Sequence, residues 1–205
     1  MPTPLDVEKQ KFTFGDSWTV AFKYDDCDFY RKGPERLKGE LVERSVVNGV
    51  AEEKVVPQST RAVDVMAFQQ GSGLLLMEAK DFRGYRIANK HRFKDSEVAL
   101  EVALKARDTI AALVGALRQS ESKFPADALR QALEKNQTVT VVLWLEDDAQ
   151  TDERRARQQM NTLNETLKSK LAWLNVRTFV LSSRVQNRLA DLSVTNLPGA
   201  GQPNP

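Results

Sequence analysis

Apolar residues fall into two periods along the chain. Trp18, Val20, Phe22 and Tyr24 alternate with Thr19, Ala21 and Lys23, as on a half-buried strand that a polar elbow, "DDCD", then ends. Ala62–Phe68 and Leu74–Lys80 are apolar runs of seven residues each around "QQGSG". The glycines there supply the backbone freedom of a tight reversal, so the spacing predicts a hairpin. Thr138–Leu145, "TVTVVLWL", is apolar at nearly every position after its start, which predicts a strand covered on both faces.

Elsewhere the period is three to four. Ala99, Val102, Ala103, Ala106, Ile110, Leu113, Val114 and Leu117 mark a long helix within residues 94–119. Met160, Leu163, Leu167, Leu171 and Leu174 mark a second, followed by "VRTFVLSS" as a strand. Leu37, Leu41 and Val42 suggest another helix over Pro34–Val47, weakened by Gly39. A strand, helix, strand series of this length reads as a right-handed parallel crossover. The expected architecture is α/β, a mixed central sheet with helices on its faces.

The chain has 205 residues, 41% of them hydrophobic and 28% charged, enough to bury one good core. We expect a single domain over residues 1–197 and a mobile tail at 198–205, where Pro, Gly and Asn dominate. A net charge of +2 is too small for the whole surface to attract polyanions, so any nucleic-acid preference must come from local clustering. The single cysteine, Cys27, excludes an internal disulfide framework. No apolar run approaches the length of a membrane span, and "MPTPLDVEKQ" lacks the features of a signal peptide. The expected location is cytoplasmic, with no membrane partner.

Charges interrupt the apolar hairpin. If Phe68 pairs with Leu74, Asp64 falls opposite Glu78, and Lys80, two residues further on, shares the face of Glu78. Directly opposed carboxylates destabilise a ladder. A hard divalent cation such as Mg²⁺, with Mn²⁺ as a substitute, would reconcile Asp64 with Glu78, and the carbonyl of Ala79 could add an oxygen. A lysine ammonium beside such an ion can orient a water or stabilise charge on a phosphate. The plainer alternative is an ion pair between Lys80 and one carboxylate at a solvated end of the hairpin.

Asp64, thirteen intervening residues, then Glu78-Ala79-Lys80 on a hairpin with a long helix after it, resembles the restriction-endonuclease-like PD-(D/E)XK nuclease superfamily over about residues 61–183. Val63 stands where the motif's name has proline. The resemblance implies a restriction-endonuclease-like core in which Asp64 and Glu78 hold Mg²⁺ and Lys80 is the catalytic lysine. It also implies a further acid from a preceding helix, for which Glu40 and Glu43 are candidates ahead of Asp25 and Asp26. DNA would be the substrate, in a bacterial DNA-processing or phage-defence system, and the protein would work as a homodimer or beside a partner subunit.

Beyond the hairpin, "KDFRGYRIANKHRFK" holds six Lys or Arg residues, one histidine and one acid. Arg83, Arg86, Lys90 and Arg92 could grip phosphates, with Phe82, Tyr85 and Phe93 stacking on bases, against the alternative of a solvated loop paired with nearby acids. His91 is the only histidine, which removes histidine-rich metal sites from consideration. On the first long helix Glu97, Glu101, Lys105 and Asp108 form a polar line, expected to be solvated; the resemblance would bring Lys105 to a phosphate. The alternative function is a catalytically inactive module of the same fold that binds nucleic acid or a protein partner.

Overall fold

The computed structural model describes residues 2–47, 50–69, 73–84, 97–118, 129–130, 133–134, 137–147, 153–184 and 189–197. The expected loop residues Arg86, Lys90, His91 and Arg92, the turn around Gly71 and the tail at 198–205 lie outside them.

The strands in chain order are β1 (Thr3–Val7), β2 (Gln10–Phe14), β3 (Trp18–Lys23), β4 (Lys38–Val47), β5 (Val50–Ser59), β6 (Val65–Gln69), β7 (Gly73–Asp81), β8 (Thr138–Glu146), β9 (Arg177–Leu181) and β10 (Leu192–Asn196). The helices are α1 (Asp28–Lys32), α2 (Glu97–Leu117) and α3 (Glu153–Leu171). A five-stranded mixed sheet, ordered β3-β6-β7-β8-β9, forms the centre. β6 runs antiparallel to β3 and β7, whereas β7, β8 and β9 are parallel to their neighbours in turn.

The hairpin register is the expected one, with Phe68 opposite Leu74 and Val65 opposite Met77. Side-chain alternation then sorts β7 between two cores. Leu74 and Leu76 pack with α2 and α3, while Leu75, Met77 and Ala79 face the other way. β8 divides likewise, with Val141, Leu143 and Leu145 toward the helices and Val142 and Trp144 away from them. That double coverage explains its unbroken apolar run. Gly73 begins β7 at φ +104°, and a Cβ there would come within 2.0 Å of the Thr138 carbonyl oxygen. Only glycine lets β7 and β8 start side by side at this point.

Both long helices pack on one face of the sheet, through Val102, Ala106 and Leu113 of α2 and Leu163, Leu167 and Leu171 of α3. Val114, placed in the apolar stripe by its spacing, is 48% exposed. The opposite face is covered by a three-stranded antiparallel sheet, β1-β2-β10, instead of by a helix. Phe12 and Phe14 of β2 are fully buried there and meet Trp144 and Trp18 edge-on. The pairing of β2 with β10 joins segments far apart in sequence, for which the local pattern carries no signal.

Two expectations are corrected. Pro34–Val47 is not a helix: a single 3₁₀ turn at Pro34–Arg36 leads into β4, which pairs with β5 as a separate two-stranded sheet. Val42, Val46, Val47, Val50, Val55 and Val56 favour extended backbone, and Asn48-Gly49 between the runs is a strong hairpin signal. On β3, the register slips between Trp18 and Val20, so Thr19 is an extra residue. This bulge turns Trp18 toward the three-stranded sheet, while Val20 and Phe22 stay against the helices.

Candidate active site

β6 begins at Val65, one residue after Asp64, so the register carried one step past Val65 and Met77 sets Asp64 opposite Glu78. Glu78 and Lys80 share the parity of Leu74 and Leu76 and therefore point to the α2 face, close to the C-terminal end of β7. The ends of parallel strands are where α/β folds place their sites.

Asp64 is fixed from three directions. Its Oδ2 accepts the Ala79 N–H at 2.8 Å, so Ala79, expected to offer its carbonyl, meets Asp64 through its amide. The Asp64 carbonyl accepts the Tyr24 N–H at 2.9 Å, which draws in the elbow after β3. The preceding residues are tied to α2, since Val63 N–H donates to Thr109 Oγ1 at 3.2 Å and Arg61 N–H to Asp108 Oδ2 at 3.1 Å.

Glu78 is fully buried, and two ammonium groups converge on one of its oxygens. Lys105 Nζ lies 2.6 Å from Glu78 Oε1 and 3.6 Å from Asp64 Oδ1. Lys80 Nζ lies 2.9 Å from the same Oε1 and 2.9 Å from Glu101 Oε1. The other oxygen, Glu78 Oε2, is buried without a hydrogen-bond partner. Burial first, and the Asp64 charge second, push the Glu78 carboxyl up to about 7, outweighing both lysines. Burial works against the Lys80 ammonium, but Glu78 and Glu101 more than compensate and hold its pKa above the ordinary lysine value.

The ion pair offered as the plainer alternative is thus present, but not at a solvated end: Glu78 has no exposed surface. Of the polar line of α2, Glu97 is exposed as expected, but the rest is no solvated face. Lys105 and Glu101, one helical turn apart, both reach into the site, and Asp108 holds Arg61.

Glu40 is exposed on β4, opposite Pro57, and Glu43 belongs to the same separate ribbon, opposite Lys54. The helix expected to carry them is absent. Asp25, ranked behind them from the sequence, is instead an acid that feels the charge of Asp64. Burial, followed by the Asp64 and Asp26 charges, raises its pKa, and its Oδ1 is buried without a hydrogen-bond partner. Asp26 points elsewhere and pairs with Lys23 at 2.8 Å. The sequence signal for Asp25 was its place directly after a strand predicted to lie in the same sheet.

Arg83, expected to grip phosphate, forks onto Asp81 with Nε 2.9 Å from Oδ1 and Nη2 2.6 Å from Oδ2. Asp81 has the opposite parity to Glu78 and Lys80, and its Oδ2 also accepts Gln10 Nε2 at 3.3 Å, so this pair fastens β7 to β2. Arg83 accordingly lies on the far face, paired with Asp81.

The donor set suits a hard, oxygen-seeking cation. Asp64, Glu78, Glu101 and Asp25 set four carboxylates against the ammoniums of Lys80 and Lys105, and two buried carboxylate oxygens lack partners. Among the described residues, no group of three or more His, Cys, Asp or Glu side chains is arranged to hold a metal ion. Asp64 and Glu78 are two carboxylates, and Mg²⁺ in proteins commonly uses one or two while keeping several waters. No helix among the described residues is long and apolar enough to cross a membrane. No family model, curated protein or solved structure matches the chain.

Proposed function

We propose that the protein is a Mg²⁺-dependent nuclease that hydrolyses phosphodiester bonds in DNA, with the site of a PD-(D/E)XK enzyme. The observation that carries this reading is the meeting of Asp64 with Glu78 and Lys80 of β7, with the Lys105 ammonium between the two acids. Asp64 and Glu78 would hold the ion, with Mn²⁺ able to replace Mg²⁺. When bound, it supplies Lewis-acid polarisation and a more acidic water.

Lys80 stands 2.9 Å from Glu78 Oε1 and is aimed by Glu101, so its ammonium is placed to orient the attacking water and to stabilise charge developing on the phosphate. The Glu78 carboxyl is raised to about 7 by burial and the Asp64 charge, and a bound cation would favour its carboxylate form. Burial under α2 keeps bulk water from screening these charges.

The test is incubation of the purified protein with supercoiled plasmid, linear duplex and single-stranded DNA in Mg²⁺ or Mn²⁺. Wild type should cut, and Asp64→Asn and Lys80→Met should bind without cutting. Equal cleavage by all three would remove these residues from the chemistry.

A second reading is an inactive nucleic-acid- or partner-binding module. It is favoured by the ion pairs of Glu78 with Lys80 and Lys105, which hold the site together without a metal. Retained DNA binding with no cleavage under any metal would select it.

A further inference from the structure

Lys105 does not behave as an outlying phosphate contact. Asp64 Oδ2 is committed to the Ala79 amide, which leaves Oδ1 as its outward oxygen, and Lys105 faces that oxygen. The same ammonium makes the short contact with Glu78 Oε1. A divalent ion bridging these two carboxylates needs carboxylate oxygens at roughly 2.0–2.1 Å. An ion on Asp64 Oδ1 and Glu78 Oε1 would crowd the Lys105 ammonium that faces those oxygens, two cations in a poorly screened pocket. Both cannot occupy that place.

We propose that Lys105 is a tethered counter-ion that occupies the divalent-metal position and is displaced when the metal enters. The inference rests on the metal-site reading above. The side chain has room to leave: Lys105 is 19% exposed, unlike Glu78, and its four-carbon stem pivots from α2 while the strand-borne carboxylates stay fixed. Lys80 remains behind, held by Glu101 as well as by Glu78. The displaced ammonium keeps its charge at the rim of the site, where an anionic substrate would give it a new partner. Metal uptake by the free protein is therefore weak, and the lysine sets how weak.

The experiment is calorimetric titration of the full chain with Mn²⁺ alone, for wild type, Lys105→Met and Lys105→Arg, with thermal unfolding of each protein with and without Mn²⁺. Removing the competing charge should tighten Mn²⁺ binding at least about tenfold in Lys105→Met, whereas Lys105→Arg keeps the weak wild-type affinity. Mn²⁺ should raise the unfolding midpoint of Lys105→Met more than that of wild type. If wild type and Lys105→Met bind Mn²⁺ equally, or Lys105→Met binds more weakly, the counter-ion role is wrong while the metal site stands. If none of the three takes up Mn²⁺, both the role and the metal site fail.

Discussion

The Asp64 carboxylate accepts the Ala79 amide at 2.8 Å, at the point where the β6-β7 ladder stops. A side chain there replaces the backbone partner that a longer β6 would have supplied, so Asp64 closes the strand end as well as facing the site. Asp64→Ala strips the buried amide of its acceptor, while Asp64→Asn removes the charge but keeps an oxygen. Asp64→Ala should be less stable than Asp64→Asn by about 1–3 kcal/mol in urea unfolding. Equal stability would mean that the hydrogen bond is idle.

The Glu78 carboxyl is raised by burial from 4.5 to about 7. The folded protein therefore holds a proton on Glu78 that the unfolded chain releases, and stability from this group falls as pH rises from about 4.5 to about 7. In metal-free protein, Glu78→Gln should gain on wild type across that window, by up to about 3 kcal/mol at its upper end. Guanidinium unfolding of both proteins at pH 5, 6, 7 and 8 checks this. A difference that stays flat with pH would show that Glu78 ionises normally in the fold.

Asp25 and Asp26 are adjacent in sequence and opposite in role. Asp25 is half-buried beside Asp64, and Asp26 is an exposed partner of Lys23. Asp25→Asn should weaken Mn²⁺ binding several-fold, on the order of 1 kcal/mol, because it removes one of the negative charges attracting the ion. Asp26→Asn should leave the affinity unchanged. Equal effects would place the metal away from the elbow after β3.

Arg83 and Asp81 form a part-buried fork at the end of β7, with their side chains 12% and 1% exposed. Arg83→Met removes the guanidinium from a carboxylate that keeps only the Gln10 amide and the backbone N–H of residue 83, which costs about 1–3 kcal/mol. Adding Asp81→Asn should recover part of that loss. Thermal unfolding of the single and double variants measures it. A fully stable Arg83→Met would return Arg83 to the list of free phosphate-binding residues.

The hairpin and the placing of its charged residues were legible because both follow from local rules. Alternation of side chains and the Phe68-Leu74 pairing put Asp64 opposite Glu78 and Lys80 on the same face without knowledge of any other element. The two long helices and the doubly covered β8 were legible for the same reason, since each carries its own period. Pro34–Val47 shows the limit. Three apolar residues at helical spacing were outweighed by valines that pair with β5, a preference visible only when both strands are read together.

What the sequence by itself determined is the set of segments with a strong period and the three charges that the hairpin register assembles. Only the tertiary structure decided that Lys105 and Glu101 reach across from α2, that Asp25 and not Glu40 or Glu43 comes beside Asp64, and that Arg83 turns to the opposite face. It also decided that β1, β2 and β10 cover the sheet face opposite α2 and α3. The physical reason is range: backbone alternation acts between neighbours along the chain, whereas these contacts depend on how whole elements pack, which no local spacing encodes.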